Sequence, residues 1–228
     1  MESAGFIGKA IYSERDNFQL KVPVNKTMWI VSSVIQPKKK SFSYTKKRSV
    51  FTDDLRFLQT KETIESIRSN SDGAAIVVVE GSNYAKIHDL GGRDVSILQL
   101  RSGLIRSVIN GPFKGLGEAV LLLVVNPEAN ESNYVKKISG RYLLVQDIER
   151  RPILFREQSD AAISISYGMT SEVFKDWQNY LEINLSNLSR GVSMEQVLHN
   201  FTQENSYKAS PLLGVSGKTA VTGGQVNV

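Results

Sequence analysis

The stretch AAIVVVE at 74–80 is apolar up to its last position and rich in β-branched residues, as strands covered on both faces of a sheet are. A second run of this kind, MWIVSSVI at 28–35, lies upstream and ends just before Pro37. Between the two runs, Thr52 followed by two aspartates predicts a helix start, because a hydroxyl N-cap and early carboxylates suit the positive end of the helix dipole. Strand, helix and strand at this spacing predict a βαβ unit with parallel strands and a right-handed crossover.

The predicted helix continues from Thr52 to about Asn70, ahead of a turn-forming Asp-Gly pair. Its apolar residues recur at multiples of three, which predicts one buried stripe with charged residues opposite it. That stripe consists of Leu55, Leu58, Ile64 and Ile67.

Further apolar runs continue this alternation towards the C-terminus. We expect strands at 95–100, on both sides of Gly140 within 134–145, and at 161–167, and helices at 115–125, 171–188 and 193–201. The tail from Pro211 is typical of loops with one short strand. The sequence therefore predicts an α/β fold, with a mostly parallel mixed sheet and helices on both faces, in a single domain at 27–228. Residues 1–26 are predicted to be an N-terminal extension or an edge element.

The composition excludes several kinds of site. The chain has 228 residues, no cysteine and two histidines. Disulfides, thiol nucleophiles and thiolate metal sites are excluded, and a histidine-rich metal site is disfavoured. No apolar run approaches the ~18 residues of a membrane-spanning helix, and the N-terminus lacks the apolar segment of a secretory signal. We therefore expect a cytoplasmic protein without a membrane span.

The net charge is +5, and much of the excess falls in the loop from Lys38 to Arg48. Lysine-rich loops are often simply solvated, but a basic cluster also attracts nucleic acid or phosphate. Phe42 and Tyr44 lie in the same loop and could stack on bases. A nucleic-acid-binding protein therefore stays open as an alternative function.

Ligands of open parallel sheets bind at the carboxyl ends of the strands. This rule selects 32–36, 80–83 and the segment around Gly140. Arg141 offers a planar guanidinium that suits phosphate, Gly140 permits close approach to the backbone, and Tyr142 could stack on a base or a sugar. The alternative is a β-bulge whose polar residues face water.

A second candidate segment is GPFKGLGE at 111–118, where a predicted helix begins. Backbone amides at a helix N-terminus favour anions, Gly115 would let a ligand come close, and Lys114 would add a positive charge for a phosphate. The alternative is a tight loop in which Lys114 is solvated.

Two acidic features are weaker candidates. Asp147 and Glu149 form an acidic-x-acidic pair that could hold a divalent cation, although such spacings are common on solvated loops. Glu195 falls in the first turn of a predicted helix. It could act as a general base on an acceptor hydroxyl, or it could only complement the helix dipole.

Several segments in order along the chain resemble glycosyltransferase-like proteins with a GT-A-type nucleotide-sugar fold, known from bacteria and large DNA viruses. The resembling pieces are IVSSVI (30–35), RSVFTDDLRFLQTKETIESIR (48–68), IVVVEGS (76–82), GPFKGLGEA (111–119), KISGRYLL (137–144), SMEQVL (193–198) and LGVSG (213–217). The resemblance implies transfer of a sugar from a nucleotide-diphosphate sugar to a hydroxyl acceptor, such as a glycan or a lipid- or protein-linked glycan. A non-catalytic nucleotide- or carbohydrate-binding relative is the nearest alternative, and a nucleic-acid partner is not favoured.

The resemblance also implies residue roles. Ser32, Ser33 and Val34 would line the base or ribose of the donor. Arg48 and Arg56 would reach its phosphates, and Glu80 and Ser82 would close the end of the second strand. Lys114, Lys137 or Arg141 would stabilise the negative charge that develops on the leaving group. Ser139 and Gly140 would lie beside them, and Glu195 is the candidate base.

One departure concerns the metal site. Enzymes with this fold typically carry an Asp-x-Asp motif that holds Mn²⁺ or Mg²⁺, but Ser139, Gly140 and Arg141 occupy that region here. No metal ligands are therefore assigned, and a divalent cation is not supported by the motif. A guanidinium and a lysine can offset diphosphate charge without one.

Overall fold

A computed structural model describes residues 2–16, 27–38, 41–126, 132–149, 152–158 and 161–228. The strands are β1 (Thr27–Ser33), β2 (Ala75–Glu80), β3 (Val95–Gln99), β4 (Tyr134–Ser139), β5 (Tyr142–Leu144), β6 (Ile153–Leu154), β7 (Glu157–Gln158), β8 (Ala161–Ala162), β9 (Ser166–Thr170), β10 (Val215–Lys218) and β11 (Gln225–Asn227). The helices are α1 (Glu2–Asp16), α2 (Asp53–Asn70), α3 (Gly103–Ile109), α4 (Lys114–Leu123), α5 (Ser171–Leu188) and α6 (Met194–Glu204), with a 3₁₀ helix at Ala85–Leu90.

The central sheet has six strands in the order β3-β2-β1-β4-β9-β6. The first four run parallel, whereas β9 is antiparallel to both of its neighbours. The predicted mostly parallel mixed sheet is therefore confirmed. The chain leaves β1 towards β2 and β3 on one side, and β4 lies on the other side of β1. Such a reversal of strand order opens a crevice beyond the carboxyl ends of the two central strands.

Helices cover both faces of this sheet, as predicted. On one face α1, α4, α5 and α6 bury an apolar cluster that includes Met28 and Ile30 of β1. On the other face α2 packs over Trp29 and Val31 of the same strand. Alternate residues of β1 thus enter different cores, because successive side chains of a strand point to opposite faces. No helix of the described residues is long and apolar enough to span a membrane.

Helix α2 begins as predicted but buries a different stripe. The Thr52 hydroxyl accepts a hydrogen bond from the Leu55 amide at 3.3 Å. Ile64 and Ile67 are buried, whereas Leu55 and Leu58 are exposed and the prediction for them is wrong. Buried threonines take their place on the inner face, since the hydroxyls of Thr60 and Thr63 each donate to a carbonyl one turn earlier at 2.9 Å. A satisfied hydroxyl can be buried at little cost.

The structure differs from the predictions in a strand, in the C-terminal tail and at the N-terminus. The strand predicted at 161–167 is wrong in extent, because only 161–162 and 166–170 are extended. The tail contains two short strands rather than one, and they pair with β5 in a sheet of order β11-β10-β5. Residues 2–16, predicted as part of an extension or edge element, form α1, which buries Ile11.

Candidate functional site

A cleft of about 260 Å³ lies at the crevice between the ends of β1 and β4. Its base is polar, because Ser32 and Ser33 end β1 and Ser139 ends β4. The turn between β10 and β11 contributes residues 219–221. That turn is attached to the body of the protein by the Val50 amide, which donates to the Ala220 carbonyl at 2.8 Å. Strand ends, a helix start and a hairpin thus converge on one cleft.

Arg141 occupies the cleft because a tight turn follows β4. The Gly140 amide donates to the Ser32 carbonyl at 2.9 Å, and a Cβ at position 140 would come within 3.0 Å of Thr60 Oγ1. Glycine is therefore favoured where β4 passes β1 this closely, because a side chain would have to displace Thr60. The Arg141 guanidinium lies over the Tyr142 ring, 5.3 Å from its centroid, and its buried Nε has no hydrogen-bond partner among the described residues.

Arg56 reaches the same cleft from α2. Its Nε donates to the Val34 carbonyl at 2.8 Å, and its Nη1 donates to Ser49 Oγ at 3.1 Å. Burial, followed by the nearby charge of Arg141, lowers the pKa of Arg56 to about 10. Two guanidinium groups therefore repel each other beside the ends of β1 and β4, which favours a bound anion.

Arg48 lines the cleft but already has protein partners. Its guanidinium donates to the carbonyls of Asn110, at 2.7 Å, and of Gly111, beyond the end of α3. It also stacks on the Phe42 ring, 4.1 Å from the centroid. A cation at the end of a helix satisfies carbonyls that the helix leaves free. These contacts give Arg48 a structural role, and its contact with phosphate stays a prediction.

Lys114 and Glu195 form the opposite wall. Lys114 Nζ lies 3.8 Å from Glu195 Oε1, and Ser164 Oγ donates to the same oxygen at 2.6 Å. Burial disfavours the Glu195 carboxylate, but Lys114 and Ser164 outweigh it, so the pKa of Glu195 is lowered. Burial also acts against the Lys114 ammonium, but Glu118 and Glu195 raise its pKa overall. Both groups are therefore charged at neutral pH.

Behind this wall lies a buried ion pair. Lys137 Nζ donates to the Glu118 carboxylate, to Ser139 Oγ at 3.1 Å and to the Ser164 carbonyl. Its side chain is inaccessible to solvent, and burial lowers its pKa despite Glu118. Lys137 therefore supports the wall of the cleft, and the expected contact with a leaving group is not available to it.

Most residues proposed from the sequence converge on the cleft. Those that line it are Ser32, Ser33, Val34, Arg48, Arg56, Lys114, Ser139, Arg141, Tyr142 and Glu195. The others lie outside its lining: Glu80, Ser82, Gly115, Lys137 and Gly140.

Glu80 and Ser82 stabilise loops instead of closing the cleft. Glu80 Oε1 accepts hydrogen bonds from the amides of Ile35, at 3.0 Å, and Ser82, at 2.7 Å. Ser82 Oγ accepts from the Gln36 amide at 3.1 Å. These bonds fix the loop that follows β1, so both residues position the cleft from behind.

Sequence reasoning missed Glu118, Ser164 and the hairpin turn. Glu118 had a readable signal, because it is a carboxylate at the start of an otherwise apolar helix, one turn after Lys114. Ser164 and residues 219–221 had none, since only the tertiary fold brings them to the cleft.

Asp147 and Glu149, the acidic pair proposed for a cation, have different surroundings. Asp147 accepts hydrogen bonds from Lys136 and Ser71, which use its carboxylate within the protein. Glu149 is exposed. Within the part of the chain that the structure describes, no three acidic or histidine side chains converge as a metal site.

The basic loop from Lys38 to Arg48 has fewer side chains available to contact nucleic acid than its composition suggests. Arg48 is buried and stacks on Phe42, so neither is free to contact a base or a phosphate at the surface. Tyr44, Lys46 and Lys47 are exposed. Lys39 and Lys40 lie outside the described residues.

No protein-family model matches the chain, and no curated protein matches it.

Proposed function

We propose that this chain is a glycosyltransferase that binds a nucleotide-diphosphate sugar in the cleft between β1 and β4. The observation that carries the proposal is the Arg141 guanidinium, which lines the cleft beside Arg56 with a buried Nε that has no partner among the described residues. An unpaired buried donor costs about 1–3 kcal/mol, and a ligand that accepts a hydrogen bond from it would offset that cost. The strand order and the glycine turn after β4 support the GT-A-like interpretation of the fold.

The charges of the cleft suit a diphosphate. Arg56, Lys114 and Arg141 line it from three different elements, and planar guanidinium groups bind phosphate oxygens in pairs. Val34, Ile109 and Leu121 add apolar surface on which a base or ribose can pack. A nucleotide and its diphosphate would thus find apolar and cationic partners in one place.

The reaction follows from that placement. The bond between the anomeric carbon and the diphosphate oxygen breaks, and its electron pair leaves with the nucleoside diphosphate. Arg141 and Lys114 stabilise the developing charge. The acceptor oxygen forms the new bond to the anomeric carbon, and its proton passes to the Glu195 carboxylate. Glu195 is ionised at neutral pH, since its pKa lies below the ordinary value of 4.5, so the carboxylate can accept this proton.

A non-catalytic nucleotide-sugar-binding protein is the second candidate. It is favoured by the partners that Glu195 already has, since Ser164 and Lys114 both contact its Oε1. A carboxylate engaged in this way is a weaker base than a free one.

Turnover separates the two candidates. We expect the protein to release UDP, GDP or dTDP from a matching sugar nucleotide, slowly in water and faster with an acceptor. Glu195→Gln should lower this rate by 10²-fold or more, in the range of general-base catalysis, with donor affinity within about threefold of the wild type. Binding without turnover in the wild type would favour the non-catalytic protein, and the absence of both would reject the proposal.

A further inference from the structure

A second cavity of about 350 Å³ opens beside the cleft. It lies between residues 43–44, the start of α4 and the loop at 191–195. Three charged side chains line both spaces: Lys114, Glu118 and Glu195. The candidate base thus stands in the wall between two cavities, accessible from either side.

An aromatic platform faces this second cavity. Tyr44 stacks on Phe42 with centroids 5.4 Å apart and planes 6° from parallel, and Arg48 lies against Phe42 in turn. The stack fixes the Tyr44 ring, yet 62% of the residue stays exposed. Tyr44 lines the second cavity together with Lys114, Glu118 and Glu195.

The far wall is closely packed. A Cβ at Gly115 would come within 2.9 Å of the Met194 amide and 3.2 Å of the Val192 carbonyl, so α4 packs directly against the loop before α6. Gly191 adopts φ +99°, which side-chain-bearing residues rarely do, and lies close to the Phe113 ring. Closely packed backbone thus forms this side of the cavity.

We infer that the second cavity binds a saccharide, the acceptor of the glycosyltransferase proposed above, on which this inference rests. The apolar C–H face of a sugar ring packs on the exposed face of Tyr44, and one hydroxyl points at Glu195. Glu118 and Glu195 line both spaces, but the arginines of the first cleft do not line this cavity, so Lys114 alone faces two carboxylates here and an anionic ligand is disfavoured. A neutral polyol can use both their oxygens and the Lys114 ammonium.

The test is saccharide binding without any donor. Maltose, cellobiose, lactose and chitobiose are each titrated into the full chain by ligand-observed NMR. We expect at least one to bind the wild type with a dissociation constant in the millimolar range or below. Tyr44→Ala should weaken it at least tenfold, whereas Tyr44→Phe, which keeps the ring, should change it by less than threefold. Tyr12→Ala removes an exposed tyrosine on α1 and serves as the surface control.

The outcomes separate this site from the donor cleft. Arg141 lines the first cleft and not the second cavity, so saccharide binding should persist in Arg141→Met. If no disaccharide binds, or if Tyr44→Ala binds as tightly as the wild type, the acceptor site is rejected even where sugar nucleotides bind. Loss of nucleotide binding with saccharide binding intact would instead count against the donor cleft.

Discussion

Lys114 Nζ lies 3.8 Å from Glu195 Oε1 in the wall that the two cavities share. The residues stand in the first turns of two different helices, α4 and α6. The attraction of Lys114 lowers the pKa of Glu195, the base of the proposed reaction.

The lowered pKa of Glu195 makes stability depend on pH in a defined direction. A carboxylate whose pKa is lower in the folded state stabilises the fold above its ordinary value of 4.5, and this contribution disappears as the pH falls through the lowered value. Glu195→Gln should therefore lower the free energy of unfolding more at pH 7 than at pH 4, in urea titrations. Glu62→Gln, on the exposed side of α2, is the control. An equal loss for Glu195→Gln at both pH values would contradict the shift.

The Lys137–Glu118 pair gives a prediction on stability alone. Lys137→Met leaves the Glu118 carboxylate without its partner in a largely buried position, and breaking such a pair costs about 3–5 kcal/mol. The double change Lys137→Met with Glu118→Leu removes both charges and should recover most of that loss. Chemical denaturation of the wild type, both single variants and the double variant measures the coupling. Additive effects would show that the two side chains do not interact.

The burial of Lys137 beside Glu118 could not be predicted from the sequence. The strand ends, the Thr52 cap and the glycine turn after β4 were predictable, because each depends on residues adjacent in the chain. Lys136 and Lys137 had the composition of surface residues, yet both are buried. Their partners, Asp147 and Glu118, come from other elements, and only the packed fold brings these charges together.

Helix α2 illustrates a second limit. The apolar periodicity predicts the length of this helix and the burial of Ile64 and Ile67. It also predicts burial of Leu55 and Leu58, which are exposed, because hydropathy alone does not show which face meets the sheet. Thr60 is buried, and its hydroxyl lies 3.0 Å from the Gly140 carbonyl as well as 2.9 Å from the Arg56 carbonyl. A contact across 80 positions cannot be inferred from local spacing.

Arg141 should reduce the stability of the free protein. Its buried Nε lacks a partner among the described residues, and its charge lies near Arg56. Arg141→Met keeps a long side chain and removes both penalties, so the free energy of unfolding should rise by up to about 1–3 kcal/mol. Arg93→Met, at an exposed arginine of a loop, should change it by less than about 0.5 kcal/mol. A loss of stability in Arg141→Met would mean that the guanidinium is satisfied within the fold.

Binding of sugar nucleotides to the same variants tests the central claim most directly. UDP-, GDP- and dTDP-sugars at millimolar concentration are added to the wild type, Arg141→Met and Arg93→Met, and the melting temperatures are compared with those of the free proteins. We predict that at least one sugar nucleotide raises the melting temperature of the wild type and of Arg93→Met, and that the rise disappears in Arg141→Met. No rise with any of them, or an equal rise in Arg141→Met, would contradict a diphosphate site at the ends of β1 and β4.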